Sequence, residues 1–457
     1  MPNISSLNTG LSGMNAQRRA MDLIGHNVAN AATPGYHRQR AELRGVGAPI
    51  NGLFSGAGVR PYGVEVIGVS RSYDALLAAR AVREQASSAF AELSSTTLSR
   101  IEGLFPEPTD VGIAHQLHEL WSGWTDVAND PGSLASRTQL LERASSLVSS
   151  LHRTAADIAG VRATAIDRVS TLAAETNGLA AEVAALNAQI ASTPSAAHDL
   201  LDRRELILTE LAALTGAQAR STERGQVDVY IGGRAIVTGT VSHAIVANAG
   251  TLEWAIDGQS VNAAAGEAAA LFGTITDVAP RYTALLDQVA ATLVAEVNAL
   301  HVAGYDQNGV TGRNFFDPAG VTAATIELSV DVAGTPANIA AGEPQFPGPT
   351  APGSLDGEQA RAIAALADSA GGADARYRAL IAGLAVETRG AIRRAEIQAQ
   401  VTDAAISDAE SVGSVSIDEE MANLVGAQRA YEASARFLTV VDELLGVLIE
   451  RTGVVGR

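Results

Sequence analysis

His115 and His118 lie three residues apart, with Glu119 beside the second, on a stretch whose apolar positions recur at helical spacing. Two imidazoles one turn apart is a spacing zinc can use. The metalloprotease order His-Glu-x-x-His is absent, and no third ligand cluster accompanies the pair. Leu117, Leu120, Trp121 and Trp124 make the segment a packing surface instead. Asp306-Gln307-Asn308-Gly309 matches part of a calcium loop, but Phe315 stands where the bidentate glutamate is required, so a turn is expected. Asp418-Glu419-Glu420 has the composition of an acidic metal site. Ser416-Ile417-Asp418-Glu419 accounts for it as a helix capping box, with Glu420 in a first turn where negative charge suits the dipole. Gly56-Ala57-Gly58 lacks the third glycine of a dinucleotide fingerprint. No serine or histidine has the context of a nucleophile elbow or triad.

Composition removes further chemistry. The chain of 457 residues has no cysteine and no lysine, so all 32 basic residues are arginine. Thiol nucleophiles, cysteine-ligated zinc, disulfides, the Walker phosphate loop and Schiff-base catalysis are excluded. A net charge of −18 argues against a nucleic-acid partner. Charge-free stretches such as Ala235–Leu252 are broken by polar residues and glycine, and none reads as a membrane span. The first residues show neither a basic leader nor an apolar core, so no cleaved signal peptide is expected. The chain is thus expected to be no enzyme, with no catalytic residue, cofactor or metal.

The elements are mainly helical. Ile4, Leu7, Leu11, Met14, Met21, Ile24 and Val28 form one apolar stripe, with Asn3 as a possible N-cap. It stops at Thr33-Pro34-Gly35-Tyr36, where Pro34 disfavours helix at Thr33 and Gly35 tolerates positive φ. Helices are expected from about Ser72 to Ile101, from about Val111 past Trp124, from Leu134 to Ser192 and from Asp199 to Thr215. A heptad seam runs from Val148 to Ile190 and suits either a bundle core or a contact between subunits. Residues 216–262 alternate around glycine turns and read as a small antiparallel β unit. Further helices are expected over Arg281–His301, Gly357–Asp368 and Ala373–Val412, with one strand at Thr325–Val332. The last helix carries the seam Met421, Leu424, Gln428, Tyr431, Ala435, Leu438, Val441, Leu445 and Leu448.

A single apolar stripe needs a partner helix. The simplest partner for each terminal helix is the other one, or those of neighbouring subunits. The expected organisation has three parts: residues 1–40 with 415–457 as a terminal-helix polymerisation domain, 41–215 with 281–414 as a helical bundle, and 216–280 as a β-rich outer unit. The assembly seam is Leu7, Leu11, Met14, Met21, Met421, Leu424, Tyr431, Leu438, Leu445 and Leu448.

His26-Asn27-Val28-Ala29-Asn30-Ala31-Ala32-Thr33-Pro34-Gly35-Tyr36 resembles the N-terminal signature of the flagellar rod, hook and hook-associated proteins. Asn27, Ala29, Asn30, Thr33, Pro34, Gly35 and Tyr36 carry it. Further segments resemble the hook-associated protein 1 family, at the hook–filament junction. They are Gly63-Val64-Glu65-Val66 through Arg71-Ser72-Tyr73-Asp74, Leu200-Leu201-Asp202-Arg203-Arg204-Glu205, and Val227-Asp228-Val229-Tyr230-Ile231-Gly232-Gly233. Asn298-Ala299-Leu300-His301 with Gly304-Tyr305-Asp306 and Phe315-Phe316 is similar too, as is Ile417-Asp418-Glu419-Glu420-Met421-Ala422-Asn423-Leu424 with Gln428, Tyr431 and Ala433.

The resemblance implies a structural axial protein of the bacterial flagellum, exported by the type III apparatus and lying outside the cell. It implies a homo-oligomeric ring and, as partners, the hook protein, the second hook–filament junction protein and an export chaperone at the C-terminal helix. The second junction protein is the alternative within the class. A secreted cell-wall hydrolase would need two carboxylates converging in a cleft. A coiled-coil adhesin would need a signal peptide and an anchor.

Overall fold

The first helix and the last helix of the chain lie side by side, and everything between them folds out and back. The computed structural model describes residues 4–46, 63–193, 197–248, 253–343 and 355–452. Asn3 and Gly56-Ala57-Gly58 lie outside the described residues. Helix α1 (Ile4–Asn30) leads through a turn into the hairpin β1 (Gln39–Val46) and β2 (Gly63–Arg71), which is antiparallel. Then come α2 (Ala75–Glu102), α3 (Ile113–Asn129), α4 (Leu134–Ser192) and α5 (His198–Thr215).

A β unit follows. Strands β3 (Gln218–Ser221), β4 (Val227–Ile231), β5 (Arg234–Thr238) and β6 (Val241–Ser242) make one antiparallel sheet in chain order. Strands β7 (Ile245–Asn248), β8 (Glu253–Ile256) and β9 (Gln259–Val261) make a second. The chain returns through α6 (Gly266–Gly273), α7 (Ala279–Ala303), α8 (Glu358–Ala364), α9 (Ala373–Gly413) and α10 (Ile417–Thr452). No described helix is long and apolar enough to cross a membrane.

The 59 residues of α4 span about 90 Å at 1.5 Å per residue. Its heptad seam is satisfied inside the chain, which settles the two readings in favour of a bundle core. The seam positions from Val148 to Ile190 are buried except Arg162 and Leu179, which are partly covered. The first half packs with α3 and α7, which in turn carry α8 and α9, around Trp124, Leu151, Ile158 and Leu293. The second half packs with α5, α6 and the sheets around Leu172, Val183, Leu211 and Trp254. Two asparagines fix the sheets to this helix. Asn177 accepts from the Ile245 N–H at 2.7 Å and donates to its carbonyl at 2.9 Å. Asn187 does the same for Val227, accepting at 3.2 Å and donating at 2.7 Å. Each amide satisfies both halves of a strand residue as a neighbouring strand would.

Two expectations are corrected. Helix returns at Gly266, not Arg281, because Pro280 does not start the segment. It sits in the first turn of α7, and the π turn Thr274–Val278 before it absorbs the missing donor. Thr325–Val332 is not a strand. Phe316 and Leu328 form an isolated bridge, and Ser329 donates to Phe315 at 2.9 Å, after which the chain turns away.

The Asn-x-x-His motif explains how this irregular segment is held. Asn298 and His301 are one turn apart on α7. Asn298 accepts from the N–H groups of both Phe315 and Phe316 at 2.9 Å and donates to the Phe316 carbonyl at 2.9 Å. His301 is fully buried, with Nε2 accepting from Ala340 N–H at 2.9 Å and Nδ1 2.7 Å from the Arg313 carbonyl. That pair of contacts defines the neutral Nδ1–H tautomer. Burial pushes the imidazole down to about 4.

The unfolded chain therefore takes up a proton near pH 6.5 that the folded chain refuses until about pH 4. Stability is complete above pH 6.5 and falls between those values, by about 2 kcal/mol at pH 5. Thermal unfolding of the parent and of His301→Gln between pH 7 and pH 5 checks this. The variant should show the flatter profile; equal slopes would refute it.

Candidate functional site

The turn after α1 gathers four distant segments. Asn30 Nδ2 donates to the His26 carbonyl at 3.0 Å, and Thr33 N–H donates to the Asn30 carbonyl at 2.9 Å. Pro34 is exposed, and Gly35 takes a φ of 72°, the left-handed turn that its neighbour's proline sets up. This turn swings Tyr36 back over Asn27, whose side chain is buried.

Asn27 has every hydrogen-bonding position filled. Its Oδ1 accepts from Tyr36 OH at 2.8 Å and from Gln39 N–H at 2.9 Å. Its Nδ2 donates to the Gln39 carbonyl at 2.9 Å and to Glu420 Oε2 at 2.8 Å. Glu420, 1% exposed, also receives Arg38 at 2.5 Å. Arg38 Nη1 donates to Glu419 at 3.0 Å, its N–H to the Gly413 carbonyl at 2.9 Å, and its carbonyl accepts from Ser72 N–H at 2.9 Å. Burial, then the charges of Asp199, Asp202 and Glu420, push the Tyr36 phenol above its ordinary value, so it stays a donor to Asn27. One carboxylate, one amide and one guanidinium thus join the end of α1, the start of β1, the end of α9 and the start of α10.

A second cluster adjoins it. Asp202 on α5 accepts from His37 N–H at 3.0 Å, lies 2.8 Å from His37 Nδ1, and receives Arg71 at 2.6 Å. Arg71 also grips Glu205 at 2.9 and 2.5 Å and lies 4.3 Å over the Tyr73 ring. Burial works to raise the Asp202 carboxyl, but His37 and Arg71 outweigh it and hold it below the usual range. Among the described residues, His37, Asp202 and Glu205 are the trio close enough to share a metal ion. The Arg71 guanidinium already supplies the positive charge there, in a bidentate grip, and makes the trio an ion-pair network. Gly413 must be glycine at this crossing, since a Cβ would lie 2.5 Å from His37 Cδ2 and 3.2 Å from the Ser72 carbonyl.

Beyond this hub, α1 and α10 run antiparallel. A Cβ on Gly10 would stand 2.7 Å from Leu438 Cγ, and one on Gly13 3.1 Å from Ser434 Oγ. The two glycines let the helices approach closely. The buried line on α10 runs through Glu420, Ala427 and Val441, flanked by partly covered Leu424, Tyr431, Leu438 and Leu445. Met421 is exposed, one residue off that line. On α1, Leu7, Met14 and Met21 are partly covered and Leu11 is half exposed, while Ala16, Leu23, Ile24 and Asn27 are buried. Leu448 lies in α10, and its side chain is outside the described residues. Ala29 is exposed.

The sequence missed Glu420 and Arg38. The capping reading of Ser416–Glu419 explains half of the contacts: Ser416 Oγ accepts from Glu419 N–H at 3.4 Å, but the Glu419 side chain turns to Arg38 rather than back to the cap. The signal for the second cluster was present in the run from Leu200 to Glu205, which supplies its Asp202 and Glu205, while the buried Arg204 of the same run donates to Asn187 and the Gly225 carbonyl.

The other candidates fall apart in space. Glu119 pairs with Arg143 at 3.2 Å, and His118 is exposed. Asp306 Oδ1 accepts from Asn308 and Val310 N–H at 2.8 and 2.9 Å, the geometry of a turn. A cleft of about 590 Å³ between α2, α6 and α9 holds Asp277 and Glu387. Arg281 ties both down, at 3.6 and 2.8 Å, and its hydrogen bond holds the Glu387 carboxyl below its usual range. An acid catalyst would need the opposite shift.

Three family models match this chain in order. They are "Flagella basal body rod protein" over residues 7–37, "Flagellar hook-associated protein FlgK helical domain" over 98–316, and "Flagellar basal body rod FlgEFG protein C-terminal" over 414–451. The chain is similar to flagellar hook-associated protein 1 of Bacillus subtilis (strain 168), 26% identical over 510 aligned residues and 99% of each chain. It is 24% identical to the protein of that name from Escherichia coli (strain K12), over 68% of this chain and 60% of that one. Among solved structures, it shares the fold of the flagellar hook junction protein FlgK from Burkholderia pseudomallei. The TM-score is 0.64 at 15% identity, covering 75% of this chain and all of that one.

Proposed function

The chain belongs to the flagellar hook-associated protein 1 family, and from that premise we propose that it is the structural axial protein joining hook to filament. The family is a structural component of the flagellum, and its rod-type terminal segments coincide here with α1 and α10. The observation that carries the reading is the pairing of those two helices through Asn27, Arg38 and Glu420. It places the start of α1 and the end of α10 side by side as a single unit. In this reading 1–40 with 415–457 is the polymerisation domain, built on the seam named above. Residues 41–215 with 281–414 form the bundle, and 216–280 is the outer unit.

The protein acts by shape and adhesion, not catalysis. It leaves the cell through the flagellar export apparatus and assembles as a ring outside. It meets the hook protein on one side and the second junction protein on the other, after an export chaperone has covered the C-terminal helix. The support for self-association is apolar surface left over on α10. Val440, Leu444 and Val447 recur at helical spacing, each about half exposed, and continue outward from Phe437, whose ring edge reaches Gly10 of α1.

Electron microscopy of cells lacking the protein tests the assignment. Hooks without filaments, with flagellin shed into the medium, are expected. Filaments of normal number on those cells would refute it.

A further inference from the structure

The body has two hydrophobic cores, and they part at one level. On α4 the first core ends at Val161 and the second begins at Ala165. On the returning chain the second ends at Ile275 and the first begins again at Ala279. Between those limits stand Arg162, the one charged residue of the α4 seam, and the π turn Thr274–Val278. Charged clamps bind the helices on either side. On the side of the second core, Arg168 of α4 grips Glu267 before the β unit's return, at 2.6 and 3.0 Å. On the side of the first, Arg281 of α7 grips Glu387 of α9 through two hydrogen bonds of 2.8 Å, and Tyr282 OH donates to the same carboxylate at 2.6 Å.

The level between the clamps is held by less. The Ala279 N–H reaches back to the Thr274 carbonyl, and the next residue, Pro280, has no N–H to offer the Ile275 carbonyl. Arg162 Nε supplies that carbonyl with a donor at 3.0 Å. This hydrogen bond joins α4 to the line of α6 and α7 where neither core reaches. The π turn is open on another face. Its Asp277 and Val278 line the cleft of about 590 Å³ between α2, α6 and α9, where Phe90 and Ile397 are also exposed. Gly160 of α4 and Gly390 of α9 fall at this level in mid-helix, where a residue without a side chain bends most easily.

We propose that this level is a flexure built into the body. The far half, with α3, α7 and α8, tilts on the half that holds the β unit and the terminal pair. The contact of Arg162 with Ile275 is the pivot, and the cleft is the room for the tilt. Helices α2, α4 and α9 pass through unbroken, so the motion is a bend of these helices and not a free hinge. The inference goes beyond the axial reading and does not rest on it. In a ring, the flexure lets each copy change the angle of its far half while its terminal pair stays fixed.

The absence of cysteine lets two spin labels report the tilt. Val246→Cys on β7 and Val386→Cys on α9 lie on opposite halves and are 62% and 70% exposed. Asn177, which holds β7, stands about 22 Å along α4 from Arg162, so a tilt of about 10° moves β7 by about 4 Å. Pulsed electron spin resonance on the purified full chain is expected to give a distance distribution about twice as wide as that of Val386→Cys with Gln139→Cys, an exposed pair within the far half. Gly273→Phe puts a ring into the cleft, where a Cβ meets nothing within 4 Å, and is expected to narrow the wide distribution to the width of the narrow one. Gly273→Ala adds a methyl alone and should leave the width unchanged. Gly273 has a helical φ of −59°, so circular dichroism of both variants should match the parent's. Equal widths for the two pairs in the parent would overturn the flexure. A width that Gly273→Phe leaves as it was, or that Gly273→Ala narrows as much, would overturn the cleft as its room. The measurement reads purified protein, so its failure is distinct from that of the hook–filament reading, which microscopy of cells decides.

Discussion

Glu420→Ala is expected to detach the terminal helix pair from the body while leaving the body folded. The substitution removes the carboxylate that receives both Asn27 Nδ2 and Arg38, and it does so where almost no water reaches. Arg38 then keeps only exposed Glu419, and Asn27 keeps a buried amide proton with no acceptor. Breaking a buried pair by deleting one partner costs about 3–5 kcal/mol, because the surviving charge stays desolvated. Neither hydrophobic core of the body contains any of these residues. Hydrogen exchange should therefore rise by two to three orders of magnitude in α1 and α10 and stay unchanged in α4. Glu420→Gln should do less harm, since its amide oxygen still accepts from one donor. Uniform exchange across the parent and both variants would show that the hub does not hold the pair.

Leu438→Asp should abolish filament growth with an unaltered melting transition of the body. Leu438 stands against Gly10, where the helices approach so closely that no side chain fits on the α1 side. A carboxylate there loses water without gaining a donor, a penalty of about 3 kcal/mol or more. A helix pair that is otherwise only partly covered has little reserve. Circular dichroism of the purified variant checks the second half of the expectation and motility the first. A motile variant would overturn it.

How much of this was legible in the sequence depends on range. The helices were legible because their signals are local: Ser133 caps α4, Asp74 caps α2, and glycine follows α2, α5 and α7. The β unit was legible from Val227, Val229 and Ile231, which alternate inward as period two requires. The turn at Pro34-Gly35 was legible for the same reason. What it is for was not. Asn27 and Glu420 are 393 positions apart, and a carboxylate in a first helical turn has an adequate local explanation. Arg71 and Glu205 are likewise 134 positions apart. Thr325–Val332 misled because alternation marks a strand only where a neighbour supplies a ladder. Asn298 instead takes up the backbone of Phe315 and Phe316.

The separation of Asn27 from Glu420 sets a clock. A ribosome adding about 5–20 residues per second takes roughly 20–80 s to reach the second after making the first. For that interval α1 exists without its partner. Closing so long a loop directly is entropically costly, at about 5 kcal/mol by length alone. Once the body has folded, β1, β2 and the end of α9 already stand together, and the loop left to close is a few residues at each side. The order of events follows: body first, terminal pair last, and on opening the reverse. If the terminal pair is the polymerisation surface proposed above, the part that sticks completes latest, and a chain in synthesis offers its neighbours no finished surface.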